Sequence, residues 1–417
     1  MKKLFANTFS SFKIRNFRIY YIGQMISVSG TFLQALAQDW LVLKLTNSGV
    51  MLGIALAFQF LPMILLTSLG GVIADRFSKL KILYITQTIS GILALLLGLL
   101  VLTGTVQIWM VFAFALCLGL VNSIDSPARQ SFVFEMVGKE QYKNASGLWV
   151  TLISFARVIG PAIGGVLIAT IGMGQCFIIN AISYVGVIFA LAMIRKEELH
   201  SVPLLKSEKG QLKEGLRYVR STPILFNTLL MMAIVGTITY EWQASMPLFA
   251  KFVLHGDAGI YATITVAMGV GMLLGGLFAS SSSKTSLKRI IYSSFIFGVC
   301  VIIASFATNL IFSILAFALV GIFSVLFANL TNSTLQLNTD PKMRGRVMSL
   351  WSMAFFGSTA IGGPLIGIIG QYAGAQWALA VGGIAAIFAA IVGFFLMKKN
   401  KNENKIDTNK TELVKPN

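Results

Sequence analysis

The sequence predicts an all-α integral membrane fold, with twelve membrane-spanning helices in two related six-helix bundles and both termini cytoplasmic. Three observations predict it. Hydrophobic residues make up 56% of the 417-residue chain and charged residues only 12%, about half the roughly 25% charged content of soluble proteins. Apolar runs of about 20 residues, the length that crosses a bilayer core, follow one another along the chain. Short patterns in the first half return in the second half, in the same order.

The runs fall at 17–43, 49–74, 82–103, 107–126, 144–168, 175–194, 223–250, 259–280, 287–307, 310–332, 347–370 and 376–397. Links on one side, such as "TGTVQ" and "GMGQ", are very short, and those on the other are longer and charged. The longest, 195–222, separates a bundle at 1–194 from one at 223–397, and a polar tail follows at 398–417. Of the 33 Lys and Arg residues, all but Lys44, Arg157 and Lys251 lie in the N-terminal segment, the even-to-odd links or the tail. Positive charge stays on the cytoplasmic side, which sets the orientation; the expected location is the plasma membrane. The net charge of +18 is therefore a mark of topology and not of a nucleic-acid partner.

The basic opening "MKKLFANTFSSFKIRNFR" leads into an apolar run broken by Gln24, Ser27, Ser29 and Thr31. That run is too long and too interrupted for a cleaved signal peptide and is expected to be an uncleaved first span. In the central link, Leu212, Leu216 and Val219 follow helical spacing, which predicts a surface helix. The tail "KKNKNENKIDTNKTELVKPN" has the composition of a disordered segment.

Catalytic and metal chemistry is not expected. Cys117, Cys176 and Cys300 sit singly in apolar runs and His200 and His255 singly in links, and there is no phosphate-binding GxxxxGK[ST] loop. The expected class is a transporter and not an enzyme, with no cofactor.

The internal repeat is the most informative feature. "QDW" at 38–40 returns as "YEW" at 240–242, "SGLW" ending at Trp149 as "MSLW" ending at Trp351, and "IGPAIGG" at 159–165 as "GGPLIG" at 362–367. "GGVIAD" at 70–75 returns as "GGLFAS" at 275–280, and "NSIDS" at 122–126 as "NLTNS" at 329–333. Repeated halves enclosing a midplane site are the architecture of many secondary transporters.

Two motifs make the chain resemble the major facilitator superfamily over nearly its whole length. The link after the second span, "GGVIADRFSKLKIL", resembles the family signature G-x-x-x-D-R-x-G-R-K through Gly71, Asp75, Arg76 and Lys79, with Ser78 and Leu80 as departures. Its second copy has Ser280 and Ser281 in place of the acid and base. The fifth span resembles the antiporter-branch signature G-x8-G-x3-G-P-x2-G-G through Gly147, Gly160, Pro161, Gly164 and Gly165, with Ala156 replacing one glycine. The stretch "DSPARQSFVFEMVGKEQYKNASGL" resembles the macrolide-efflux and enterobactin-exporter branch. The arginine that many proton antiporters carry in the fourth span is absent from "CLGLVNSID". The resemblance implies secondary active export of a small amphiphilic compound in exchange for protons, by a monomer surrounded by lipid. Export of an endogenous metabolite such as a siderophore is the alternative, and proton-coupled import is disfavoured by the fifth-span motif.

Site residues follow from charge and helical phase. At about 100° per residue, Gln24, Ser27, Thr31, Gln34 and Gln38 share an arc of about 80°, with Asp39 at its edge. Such a stripe should face a cavity and not lipid. Asn227, Thr237, Glu241 and Ser245 share a face of the seventh span. Asp39 and Glu241 are thus repeat-related acids and candidates for proton loading, suited to a cationic or zwitterionic substrate. Arg157, near the middle of the fifth span, requires a partner, and Asp39 is a candidate. Asp75 and Arg76, with Gly71 one turn before, and Asp125 with Arg129 are expected at the inner gate. Gly160, Gly164 and Gly165 are expected to form an outward-side seal between the halves, with Pro161 adding a kink.

Overall fold

The computed structural model describes residues 9–200, 211–280, 286–340 and 343–413, without the side chains of 68, 75, 211–213, 279–280, 356–357 and 399–413. The chain is helical almost throughout, as burial in lipid demands, because each backbone N–H and C=O must be satisfied within its own segment. The first six helices are α1 (Arg15–Thr46), α2 (Gly49–Arg76), α3 (Lys79–Leu102), α4 and α5 within Ile108–Thr170, and α6 (Met173–Ala192). Gly138, at φ 66° and ψ 178°, divides Ile108–Thr170 into 108–137 and 139–170. After the central helix α7 (Gln211–Ser221) come α8 (Pro223–Ile238), α9 (Trp242–Phe252), α10 (Ala258–Ser280), α11 (Leu287–Ser305) and α12 (Leu310–Leu337). A short α13 (Arg344–Ser352) then passes through a π turn, Met353–Gly357, into α14 (Thr359–Tyr372), and α15 (Ala375–Leu413) ends the chain.

Ten helices among the described residues are long and apolar enough to cross a membrane. One of these ten is the pair α4 and α5 joined at Gly138. The 32-residue α1 is not among them, since its polar stripe lowers its hydropathy.

Helices α4, α5 and α12 extend into links that the sequence reading left open, because nothing but Gly138 interrupts them. The expected seventh span is instead broken between Ile238 and Trp242. α15 continues past 397, where a disordered tail was expected; no Gly or Pro stands between 398 and 413 to stop it.

The two halves meet along two seams, α2 on α14 and α5 on α10. Both seams are tightest at the end away from the termini. A Cβ on Gly53 would lie 2.7 Å from Pro364 Cα, and one on Gly49 would lie 2.7 Å from the Gly367 carbonyl. The Gly49 N–H donates to Gln371 Oε1 at 2.7 Å. Gly165 of α5 abuts Ala262 of α10, and Lys251 Nζ donates to the Leu43 carbonyl at 2.8 Å.

The other end carries a repeat-related pair of clasps. The Ser10–Lys13 turn docks on the start of α5, with Ser10 Oγ donating to Gln141 Oε1 at 2.7 Å and Ser11 N–H to Asn144 Oδ1 at 3.1 Å. One repeat later, Glu214 of α7 pairs with Arg346 of α13, and Tyr218 donates to Asp340 Oδ2 at 3.2 Å. Val219 is buried and Leu216 exposed.

The glycines before the α2–α3 link divide sharply. A Cβ on Gly70 would strike the Ser123 carbonyl of α4 and come within 3.1 Å of Ile124 Cα, whereas one on Gly71 meets nothing within 4 Å. Close approach is thus served by Gly70 and not by Gly71, where it was expected. Gly70→Ala is expected to cost about 1–3 kcal/mol through overpacking. Gly71→Ala should be neutral or stabilising by up to about 1 kcal/mol through helix propensity. Thermal unfolding of the two variants in detergent reads the difference.

Candidate functional site

A cavity of about 320 Å³ lies between the halves and draws its wall from both repeats, within the size range of small-molecule sites. From the first half come Thr31, Phe32, Ala35, Leu36 and Asp39 of α1, Gln59 and Phe60 of α2, and Arg157 and Pro161 of α5. The second half contributes Tyr240, Trp242, Gln243 and Met246 around the break, and Tyr261, Met268 and Met272 of α10. Phe355 of the π turn and Thr359 complete the wall. The tight far-end seams close it on that side.

The cavity face of α1 is turned by about 90° from the predicted polar stripe, at 100° per residue. Thr31 and Asp39 reach the cavity, but the rest of the stripe braces neighbouring helices. Gln34 Oε1 accepts from Asn180 Nδ2 at 2.7 Å, Gln38 Nε2 donates to Gln59 Oε1 at 2.9 Å, and Gln24 Oε1 accepts from Arg129 Nη1 at 3.3 Å. Ser27 is buried, and its carbonyl accepts from Thr31 at 3.0 Å. A buried amide must be hydrogen-bonded wherever it points, so a polar stripe alone does not distinguish a cavity from a helix seam.

Asp39 is 2% exposed. Its Oδ2 accepts from the Tyr261 hydroxyl at 3.1 Å, and Gln243 lies beside it on the cavity wall. Trp40 stacks on the same tyrosine with centroids 6.3 Å apart. Lys44 is exposed and Asp39 forms no ion pair among the described residues. The Asp39–Arg157 pairing is therefore absent, although both residues line one cavity.

Among the described residues, Arg157 makes soft contacts. Nη1 is 3.8 Å from Met272 Sδ, and the guanidinium stands 5.7 Å over the Phe32 ring.

Glu241 is placed differently from Asp39 despite the repeat. α1 runs unbroken through Asp39, whereas the backbone leaves the helix before Glu241 (φ −82°, ψ 50°). Its carboxylate turns from the cavity toward α14, where a Cβ on Gly362 would lie 2.6 Å from Oε1. It is 1% exposed, and neither oxygen has a partner in hydrogen-bonding geometry among the described residues, although Thr359 lies alongside. Thr237 and Asn227 also stay off the cavity: Thr237 Oγ1 donates to the Ala233 carbonyl at 2.7 Å, and Asn227 is buried with Nδ2 unpartnered. Ser245 Oγ donates to the Glu241 carbonyl at 2.9 Å.

Asp125 and Arg129 brace the first half from within. Asp125 Oδ1 accepts from Thr86 Oγ1 at 2.6 Å and Gln87 Nε2 at 2.8 Å, and Oδ2 pairs with Arg129. Arg129 stands 5.6 Å over the Trp149 ring. The network joins α1, α3, α4 and α5 of one bundle. In the second half the equivalent positions are neutral: Gln336 Nε2 donates to Asn332 Oδ1 at 2.7 Å, at the same i, i+4 spacing.

Of the α2–α3 motif, Arg76 is exposed, and the Asp75 side chain lies outside the described residues. The link is held by Lys79, whose Nζ is 3.2 Å from Glu135 Oε1 of α4. Of the fifth-span glycines, Gly160 and Gly164 face α1 of their own half, Gly165 alone crosses to α10, and Gly147 meets nothing within 4 Å. The close contact between the halves that was expected of Gly160, Gly164 and Gly165 is made by Gly165 and by the α2–α14 glycines. Among the described residues, no cluster of His, Cys, Asp and Glu could hold a metal ion.

Sequence reasoning missed Tyr240, Tyr261, Met268, Met272 and Phe355. "YEW" signalled aromatics flanking an acid, whereas the Met and Tyr of α10 carry no pattern that separates them from core.

Asp125→Asn leaves the half-buried Arg129 without its counter-charge and is expected to cost about 1–3 kcal/mol, less than a fully buried pair would. The double change Asp125→Asn with Arg129→Gln reproduces the neutral pair of the second half and should recover most of that loss. Melting temperatures of wild type, single and double variants check it.

The sequence profile of the transmembrane secretion effectors matches residues 6–416. The chain is 25% identical over 393 residues to the staphyloferrin A transporter of Staphylococcus aureus (strain NCTC 8325 / PS 47), covering 92% of this chain and 97% of that protein. It is 24% identical over 379 residues to the multidrug efflux pump Tap of Mycolicibacterium fortuitum, covering 88% and 92%. It is 25% identical over 361 residues to the enterobactin exporter EntS of Shigella flexneri, covering 85% of each. The fold is similar to that of a bacterial homologue of the human lysosomal transporter Spinster, with TM-score 0.72, 14% identity and coverage of 92% and 96%. A POT family transporter in complex with 5-aminolevulinic acid superposes with TM-score 0.75 at 11% identity, covering 92% and 96%.

Proposed function

The chain belongs to the transmembrane secretion effectors of the major facilitator superfamily, multi-pass transporters of the plasma membrane, and from that premise we propose that it exports a small amphiphilic compound in exchange for protons. The carrying observation is the cavity between the two repeats, closed at the end away from the termini and holding Asp39 in its wall. In this reading twelve spans cross the membrane, α4 and α5 counting separately and α1 included, with both termini cytoplasmic as the positive charge favours. The bundles at 1–194 and 223–397 rock about the cavity, so that its access alternates between the two sides.

Asp39 and Glu241 are the coupling acids of this reading. Asp39 meets the cavity directly, and Glu241 sits behind its wall at the broken helix, where a charge change alters the contact with Gly362. The α2–α3 link, with Gly71, Asp75 and Arg76, is assigned to the cytoplasmic gate. Relatives named for enterobactin and staphyloferrin A favour a second reading, in which the exported compound is an endogenous metabolite of the siderophore class.

Asp39→Asn, Glu241→Gln and the double variant separate coupling from structure. In sealed vesicles, a coupling acid loses gradient-driven efflux on neutralisation but keeps gradient-independent exchange. Full driven efflux in both single variants would make the acids structural and remove protons from the cycle.

A further inference from the structure

We propose that the cavity takes an organic anion, with a carboxylate or similar oxyanion held by the Arg157 guanidinium and an apolar body lodged among Phe32, Tyr240, Met268, Met272 and Phe355. This deepens the transport reading above and rests on it for the place of the site.

The electrostatics of the cavity wall carry the inference. The buried Lys79 and the half-buried Arg129 each have a carboxylate, in Glu135 and Asp125. Arg157 forms no ion pair among the described residues. A guanidinium carries five N–H donors in a planar fork, and the neighbours that Arg157 touches are a thioether sulfur at 3.8 Å and a ring face at 5.7 Å. An unpaired arginine within a membrane protein is costly, and both soft contacts are weak enough to yield to an oxyanion arriving in bidentate geometry. An acid in a cavity points at first to a cationic substrate. Asp39, however, already accepts from Tyr261 within the wall, and the wall's unpartnered donors include the Arg157 guanidinium and the Trp242 Nε1–H, both suited to an anion. The Met and aromatic lining adapts to varied apolar bodies without adding charge.

The test uses three probes that share a naphthalene body and carry an anionic, a neutral and a cationic head group: 2-naphthoate, 2-naphthamide and 2-naphthylmethylammonium. Equilibrium dialysis against the purified full chain in detergent measures their binding. Naphthoate should bind about tenfold or more tightly than the amide, the worth of a charge-assisted hydrogen-bonding contact. Arg157→Gln should weaken naphthoate about tenfold or more, to the level of the amide, and the amide by a smaller factor because its carbonyl also accepts from a guanidinium; Arg157→Lys should keep part of the preference. The proposal is overturned if the ammonium binds tightest, if no naphthoate binding occurs, or if the naphthoate preference survives Arg157→Gln. Equal loss of all three probes in a folded variant, checked by its melting temperature, overturns it too. Binding does not depend on transport direction or driving force, so an anion preference without vesicle efflux would sink the export reading alone.

Discussion

Backbone-to-backbone approach at the far-end seams is the constraint on which the rest of the structure depends. In lipid there is no hydrophobic force to press two helices together, so close van der Waals contact must do it. Gly49, Gly53, Gly363 and Gly367 let α2 and α14 meet almost axis to axis, and Gly165 does the same for α5 against α10. These contacts decide where the halves touch and, by exclusion, where they part. The cavity is the space left between them, and its polar wall follows from which faces of α1, α5 and α10 the seams turn inward.

The repeat sets the scaffold but not the chemistry. Both halves use the same clasp from the segment before their first span to the start of their fifth, with an uncharged set in one copy and an ion pair in the other. The brace around α4 is reversed: charged in the first half, neutral in the second. The two acids, identical in repeat position, face different neighbours because only one lies at a helix break. Equivalent positions thus keep their geometry while their charges diverge, which is what a transporter with one asymmetric task needs from two symmetric parts.

Most of the fold was legible in the sequence because membrane helices announce themselves by length and apolarity. The repeat and the α5 signature were legible because glycine and proline leave marks that composition does not blur. The cavity wall was less so. Gln34 and Gln38 read as cavity residues, since a polar stripe in an apolar helix has two explanations and the choice depends on Asn180 and Gln59, distant in sequence. Glu241 read as facing the same cavity because helical phase was carried across Thr239 and Tyr240, where no helix exists. The break itself was hidden: "TITYEW" has no Gly or Pro to signal it. Gly70 and Gly71 are indistinguishable by residue type, and only the position of α4 tells them apart.

The interruption between Ile238 and Trp242 sets the two halves apart mechanically. A continuous helix resists bending because each change of curvature strains a ladder of hydrogen bonds. One already interrupted can change its angle at the gap with that ladder untouched. α1 is therefore a single rod, while α8 and α9 are two rods that can change their angle at the gap, beside the π turn Met353–Gly357. From one duplicated unit, the chain has made a stiff lever on one side of the cavity and a jointed arm on the other.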